Sequence, residues 1–126
     1  MAGANRELVE RYLDRYNAKD VEAMLDLFAE DAVFESVSNT TGVIRTMGKG
    51  ELRRLALMSV AYFEQRRQTP AAWIIDASHV AVEIDYWCRL AKDLPEGHKA
   101  GEEMKLRGAS FFTIQEGRIT KLVDYM

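Results

Sequence analysis

Asp124 is the acid in this chain best placed to move a proton. It stands in the final apolar segment, after Leu122-Val123 and before Tyr125. A carboxyl among apolar neighbours loses hydration, which raises its pKa toward neutrality and suits a general base or acid. The competing role is an ion pair with Arg107, diagonally across a hairpin and within reach of a long side chain. That pairing would lower the pKa and make the acid structural. Tyr12 offers a phenol that can donate to a developing enolate oxygen. Equally, it can pack in a helix stripe with its hydroxyl at an edge, and Tyr16 reads more simply that way. Ser36 can donate to a ligand, but it lies in no Gly-x-Ser-x-Gly elbow and makes a poor nucleophile.

Other groups carry less. Glu83 and Asp85 have the look of a catalytic pair, yet alternation puts them on the wetter side of a strand, where solvated carboxylates belong. His79 and His98 have no second ligand at metal spacing, and neither His-x-x-x-His nor Cys-x-x-Cys occurs, so no metal is expected. Gly48-Lys49-Gly50 lacks the Gly-x-x-x-x-Gly-Lys-Ser/Thr pattern of a phosphate loop and reads as the start of a helix. No cofactor is expected. Cys88 reads as a small buried hydrophobe in a strand.

The segment that must hold Asp124 is Lys105 to Met126, two strands joined at Glu116-Gly117. A two-residue hairpin loop needs positive φ, which Gly117 supplies. That turn sets Gln115 against Arg118 and Ile114 against Ile119. Continued without interruption, the register sets Phe111 against Leu122 and Ala109 against Asp124. One face then carries Ala109, Phe111, Thr113, Thr120, Leu122 and Asp124. The other carries Ser110, Phe112, Ile114, Ile119, Lys121, Val123 and Tyr125. Neither face is cleanly polar, so both are expected to be covered, one by helices or a ligand and the other by a second subunit.

Upstream, Leu8, Val9, Tyr12, Leu13 and Tyr16 recur at helical spacing and predict a helix from about Arg6 to Tyr16. Asp20 is placed to cap a second helix, Val21 to Ala29. Ala32 to Val37 reads as a strand with Phe34 and Ser36 on one face, and Gly42 to Thr46 as a short edge strand. The third helix is expected from Lys49 to Arg67, with Leu52, Leu55, Ala56, Ser59 and Phe63 in one stripe. Leu57, Met58, Ala61 and Tyr62 widen that stripe, as in a helix covered on more than one side. Arg66-Arg67 reads as a solvated pair near its C-terminus, and Thr69-Pro70 as its stop. Ala71 to Asp76 and His79 to Leu90 form a hairpin around Ala77-Ser78, with Val80, Val82, Ile84, Tyr86 and Cys88 facing the core. Trp87, on the opposite side, hints at a subunit contact. Ala91 to Glu102 is a polar loop.

The 126 residues make one domain, 1–126, long enough for a core. A net charge of -3 argues against nucleic acid as a main partner. No apolar run reaches the length of a membrane span, and the first residues, MAGANRELVERYLDRYN, hold no apolar signal core. With a single cysteine no intramolecular disulfide can form. These features together predict a cytoplasmic protein without membrane partners.

LVERYLDRYNAKDVEAMLDLFAEDAVFESV, the Gly48 helix start, and FFTIQEGRITKLVDYM follow one another as in the nuclear transport factor 2-like superfamily, which this chain resembles over nearly its whole length. That group includes ketosteroid isomerase-like proteins and SnoaL-like polyketide cyclases. The resemblance implies an α+β fold, in which a curved antiparallel sheet wraps around helices to form a cone with an apolar pocket. It also implies a homodimer through the sheet's outer face. Tyr12 matches the tyrosine that ketosteroid isomerases carry in their first helix. Their proton-shuttling aspartate follows a glutamate in the first strand; here Ser36 follows Glu35. Their second oxyanion acid falls at Ala109. Steroid isomerisation by that mechanism is therefore disfavoured, and Asp124 is left as the acid, similar to the late acidic residue of cyclase-like relatives.

The reading that results is cofactor-free acid–base chemistry of isomerase, cyclase or dehydratase type on an apolar carbonyl compound. Asp124 and Tyr12 are the catalytic candidates. Phe34, Ser36, Leu55, Ser59, Tyr86, Phe111, Thr113 and Leu122 are the candidate pocket wall. Two alternatives stand beside it: a non-catalytic module that binds a small hydrophobic ligand, and a structural dimerisation domain.

Overall fold

Leu8, Val9, Tyr12 and Leu13 are all buried in the structure, a computed structural model that describes residues 2–126. Their stripe lays α1 (Ala2–Asn17) against the sheet. Asp20 then caps α2 (Val21–Leu25), accepting from the Ala23 N–H at 3.2 Å. Next come β1 (Phe28–Ser38), β2 (Gly42–Met47), α3 (Lys49–Val60) and β3 (Phe63–Ile75). The chain ends with β4 (His79–Leu90), β5 (Glu103–Gln115) and β6 (Arg118–Tyr125). Among the described residues, no helix is long and apolar enough to cross a membrane.

The six strands form one curved, unclosed sheet in the order β2-β1-β6-β5-β4-β3. Neighbours pair antiparallel except β1 with β6, which run parallel. The helices lie on its inner face, so the fold is the expected α+β cone. The core is built from that face: Val80, Val82, Ile84, Tyr86, Cys88 and Leu90 of β4 all point inward, with Phe112, Ile114, Ile119 and Leu122 beside them.

The closing hairpin turns at Glu116 and Gly117, at φ 52° and 74°. This is the positive-φ pair that a two-residue loop needs, and Ile114 faces Ile119 as expected. Beyond that pair the register shifts. Thr113 meets Lys121, Phe112 meets Leu122, and Ser110 meets Asp124. Thr120 is the extra residue of a β-bulge, and its hydroxyl donates to the Thr113 carbonyl at 3.2 Å. The bulge inverts one strand relative to the other, so the uninterrupted faces are wrong beyond it. Phe111 is 49 % exposed on the outer face and Phe112 is 1 % exposed in the core. Ala109 and Thr113 alternate with the buried Ser110, Phe112 and Ile114 and so share the outer face with Phe111.

Two elements are shorter than their apolar patterns suggest. The second helix stops at Leu25, and β1 already begins at Phe28. The third helix stops at Val60, and Phe63 to Ile75 is strand. Pro70 is tolerated because β3 is an edge strand with a register shift between Pro70 and Ala72. Leu57 and Met58 lie exposed, so within this chain α3 is covered on one side only.

The end of α1 stitches down that edge. The Asn17 side chain accepts from the Gln68 N–H at 2.7 Å and donates to the Gln68 carbonyl at 3.1 Å. Lys19 Nζ donates to the carbonyls of Phe63 and Glu64. Backbone groups that an edge strand leaves unpaired are thus satisfied.

Candidate active site

The helices and the inner sheet face enclose a cavity of about 350 Å³, at the small end of ligand pockets. Phe34 and Ser36 reach it from β1, Leu55 and Ser59 from α3, Tyr86 from β4 and Leu122 from β6. Those six were expected on its wall. Phe111 and Thr113 were expected there too, but the Thr120 bulge turns them outward. The deep end is fully buried at Tyr12, Phe28 and Leu122. Ile44, Leu106 and Met126, each substantially exposed, line the open end.

Asp124 stands on the cavity wall, partly accessible from inside but surrounded by protein. Its neighbours differ from those expected. Ser110, not Ala109, is the residue opposite, and its hydroxyl donates to Asp124 Oδ1 at 2.6 Å. That is the short distance typical of a hydroxyl on a carboxylate. Removal from water pushes the Asp124 pKa up to about 6, although the Ser110 hydrogen bond lowers it. The ion pair with Arg107 does not form. Arg107 points outward and bridges Glu83 at 3.1 Å and Asp85 at 3.3 Å, which places both carboxylates on the outer face, as alternation predicts. Ala109, where the resemblance puts a second oxyanion acid, faces outward beside Tyr125, and the inward residue of β5 opposite Asp124 is Ser110.

Three tyrosines line the cavity near the acid. Tyr12 packs edge-on against Phe28 and Phe112, with ring centroids 5.8 and 5.3 Å away. Burial first, then the charge of Asp124, holds its phenol well above the usual range. The Tyr16 and Tyr86 hydroxyls share a hydrogen bond of 3.0 Å, and burial raises both of their pKa values. All three are therefore neutral donors at physiological pH. Gln68 lies beside Tyr12 and Tyr16, almost fully buried, with its Oε1 unpartnered. Thr46 Oγ1 is the other enclosed orphan among the described residues.

Sequence reasoning missed Arg66. Rather than ending a helix in solvent, it sits in β3, 5 % exposed, and lines the cavity. Its guanidinium lies 3.6 Å from the centre of the Tyr16 ring, and its Nε donates to the Tyr16 carbonyl at 3.0 Å. No apolar residue occurs between Gln65 and Gln68, so neither helical nor strand periodicity could place it. The tolerance of edge strands for proline was the available signal.

Both histidines sit at the surface beside carboxylates, His79 with Asp76 and His98 with Glu102. Among the described residues, no three His, Cys, Asp or Glu side chains gather as a metal site. Cys88 is buried in β4 and touches the cavity; burial raises its thiol pKa.

The SnoaL-like domain profile matches residues 9–122. The chain belongs to the SnoaL-like family. Solved structures of the same fold include a polyketide cyclase candidate from Xanthomonas campestris pv. campestris, 21 % identical, with a TM-score of 0.83 over 99 % of this chain and 91 % of that one. A second cyclase candidate, from Pseudomonas putida, is 26 % identical, with a TM-score of 0.73 over 95 % and 89 % of the two chains. A protein of ketosteroid isomerase-like fold from Catenulispora acidiphila, solved with trimethylamine, is 20 % identical, with a TM-score of 0.76 over 95 % and 85 %. No curated protein matches this SnoaL-like chain. The family and these neighbours together place it in the nuclear transport factor 2-like superfamily.

Proposed function

We propose that this SnoaL-like chain is an enzyme of isomerase, cyclase or dehydratase type that abstracts a proton from carbon next to a carbonyl. The observation that carries this is Asp124: a carboxylate with a pKa of about 6 on the wall of an apolar cavity. At neutral pH such a group is mostly ionised and still basic enough to accept a proton. In the step, the carbon–hydrogen bond breaks and the proton passes to Asp124. The electron pair moves to the carbonyl oxygen as an enolate, and the Tyr12 hydroxyl donates to that oxygen. The enolate carbon then attacks a second carbonyl, or is reprotonated elsewhere, and Asp124 returns its proton. Ser110 holds the carboxylate in place.

The test needs no natural substrate. Simple cyclic ketones and aryl ketones, whose uncatalysed exchange is slow, are incubated with the protein in D2O, and loss of the α-proton signal is followed by NMR. Catalysed exchange is expected to rise with pH through about 6, and Asp124→Asn should reduce it about 10²–10⁴-fold. Tyr12→Phe should slow it without moving the pH profile. Equal exchange by wild type and Asp124→Asn would overturn the reading. Bound ketones with no exchange would leave a binding module.

A further inference from the structure

Arg66 is a buried cation without a counterion. Among the described residues it makes no ion pair, and its only side-chain hydrogen bond is the one from Nε to the Tyr16 carbonyl. Its two terminal nitrogens have no protein acceptor. They are not among the enclosed orphan atoms, which are Thr46 Oγ1 and Gln68 Oε1, and Arg66 lines the cavity. The fork is also fixed in place, because Tyr16 stacks beneath it at 3.6 Å, Phe63 flanks it at 5.9 Å, and Nε is tied down. A planar guanidinium held this way presents paired N–H donors, the geometry that matches a carboxylate. Burial of an unpaired charge is costly unless a partner arrives.

We infer that Arg66 anchors the carboxylate of the cavity's ligand, so the ligand is an apolar carboxylic acid. The assignment rests on the cavity being a small-molecule site, as proposed above, but not on Asp124 being a catalyst. It also orients the ligand. Asp124 makes no ion pair with Arg66, and its own hydrogen-bond partner is Ser110. The acid end of the ligand is repelled by Asp124 and drawn to the fork on β3. The rest of the ligand runs along the apolar wall toward β6, bringing its reacting carbon to Asp124. The neutral phenols of Tyr12, Tyr16 and Tyr86 line this route without adding negative charge.

Binding reads this out without turnover. Benzoate, phenylacetate and naphthalene-2-carboxylate are titrated into the protein by NMR, each beside its matching carboxamide. Wild type is expected to bind the acids about 10–100-fold more tightly than the amides, the range of a charged hydrogen bond. Arg66→Gln should erase that preference by weakening the acids alone. Arg66→Lys keeps the charge without the fork and should retain part of it. Asp124→Asn should leave acid binding intact or tighten it, even where it reduces proton exchange, so the two assignments fail separately. Equal affinity of wild type for acid and amide, or no binding of any of the acids, overturns the assignment. The wild-type comparison holds even if Arg66→Gln does not fold.

Discussion

Asp124 carries opposite consequences for function and for stability. Its folded-state pKa, about 6, lies above the ordinary carboxylate value because burial disfavours the charged form. Well below about pH 4 the acid is neutral in both the folded and the unfolded chain, and its contribution to stability is complete. As pH rises from there to about 6, the unfolded chain ionises first and that contribution is lost. Asp124→Asn should therefore stabilise the protein at pH 7–8, by about 1–3 kcal/mol, because the amide keeps an acceptor for Ser110 and never ionises. The same substitution should flatten the fall in stability between pH 4 and 6. Urea denaturation of both proteins at pH 5 and pH 8 measures this. A less stable Asp124→Asn at pH 8 would mean that the carboxylate is a structural anchor. The sequence placed this residue correctly but with the wrong neighbours. Ser110 and Arg66, which give the acid its hydrogen bond and the cavity its cation, carry no signal in a hydrophobic pattern.

At the scale of elements, the missed features are interruptions of a regular pattern. Phe111-Phe112 gives two adjacent aromatics, and either could face inward. Only the unpaired Thr120 decides between them, and a β-branched residue in a strand looks the same bulged or not. The apolar stripe of the third helix runs on through Ala61, Tyr62 and Phe63 into what is β3, so the pattern alone does not mark where the helix ends. By contrast, the Glu116-Gly117 turn, the Asp20 cap and the inward alternation of β4 were legible, since each has a local physical requirement. Close approach of the sheet's last strand leaves one more such requirement. A Cβ on Gly108 would collide with the Tyr125 carbonyl oxygen and the Met126 side chain. Gly108→Ala should therefore cost about 1–3 kcal/mol and loosen Tyr125 and Met126, the latter a cavity-lining residue. Urea midpoints, with hydrogen exchange at the Tyr125 amide, test it. Unchanged protection there would mean the strand accommodates the methyl group.

At the scale of the whole molecule, the sheet's outer face carries an unusual pair. Phe111 and Tyr125 stand edge to face at 5.6 Å, 49 % and 46 % exposed, with Val123 beside them. Around them run charged links: Arg107 with Glu83 and Asp85, and Lys121 with Glu35 at 3.8 Å. Trp87 is partly covered by its own chain, through a 2.9 Å hydrogen bond to Glu103 and the Arg89 guanidinium over its ring. Phe111 thus takes the outward place and Phe112 the inward one. An aromatic centre ringed by charges has the composition of a protein interface core within a polar rim. A self-association through this face would bury Phe111 and Tyr125 against their copies, and a stable one must cover roughly 1,000 Å² or more. Wild type is expected to be a dimer by sedimentation at micromolar concentration. Phe111→Asp should yield a monomer that still folds, because its side chain contributes nothing to the inner core. Acid binding at Arg66 should persist in that monomer, since the cavity opens on the opposite face of the sheet. A monomeric wild type, or a Phe111→Asp protein that remains dimeric, would remove this face as the interface and leave the aromatic pair as surface.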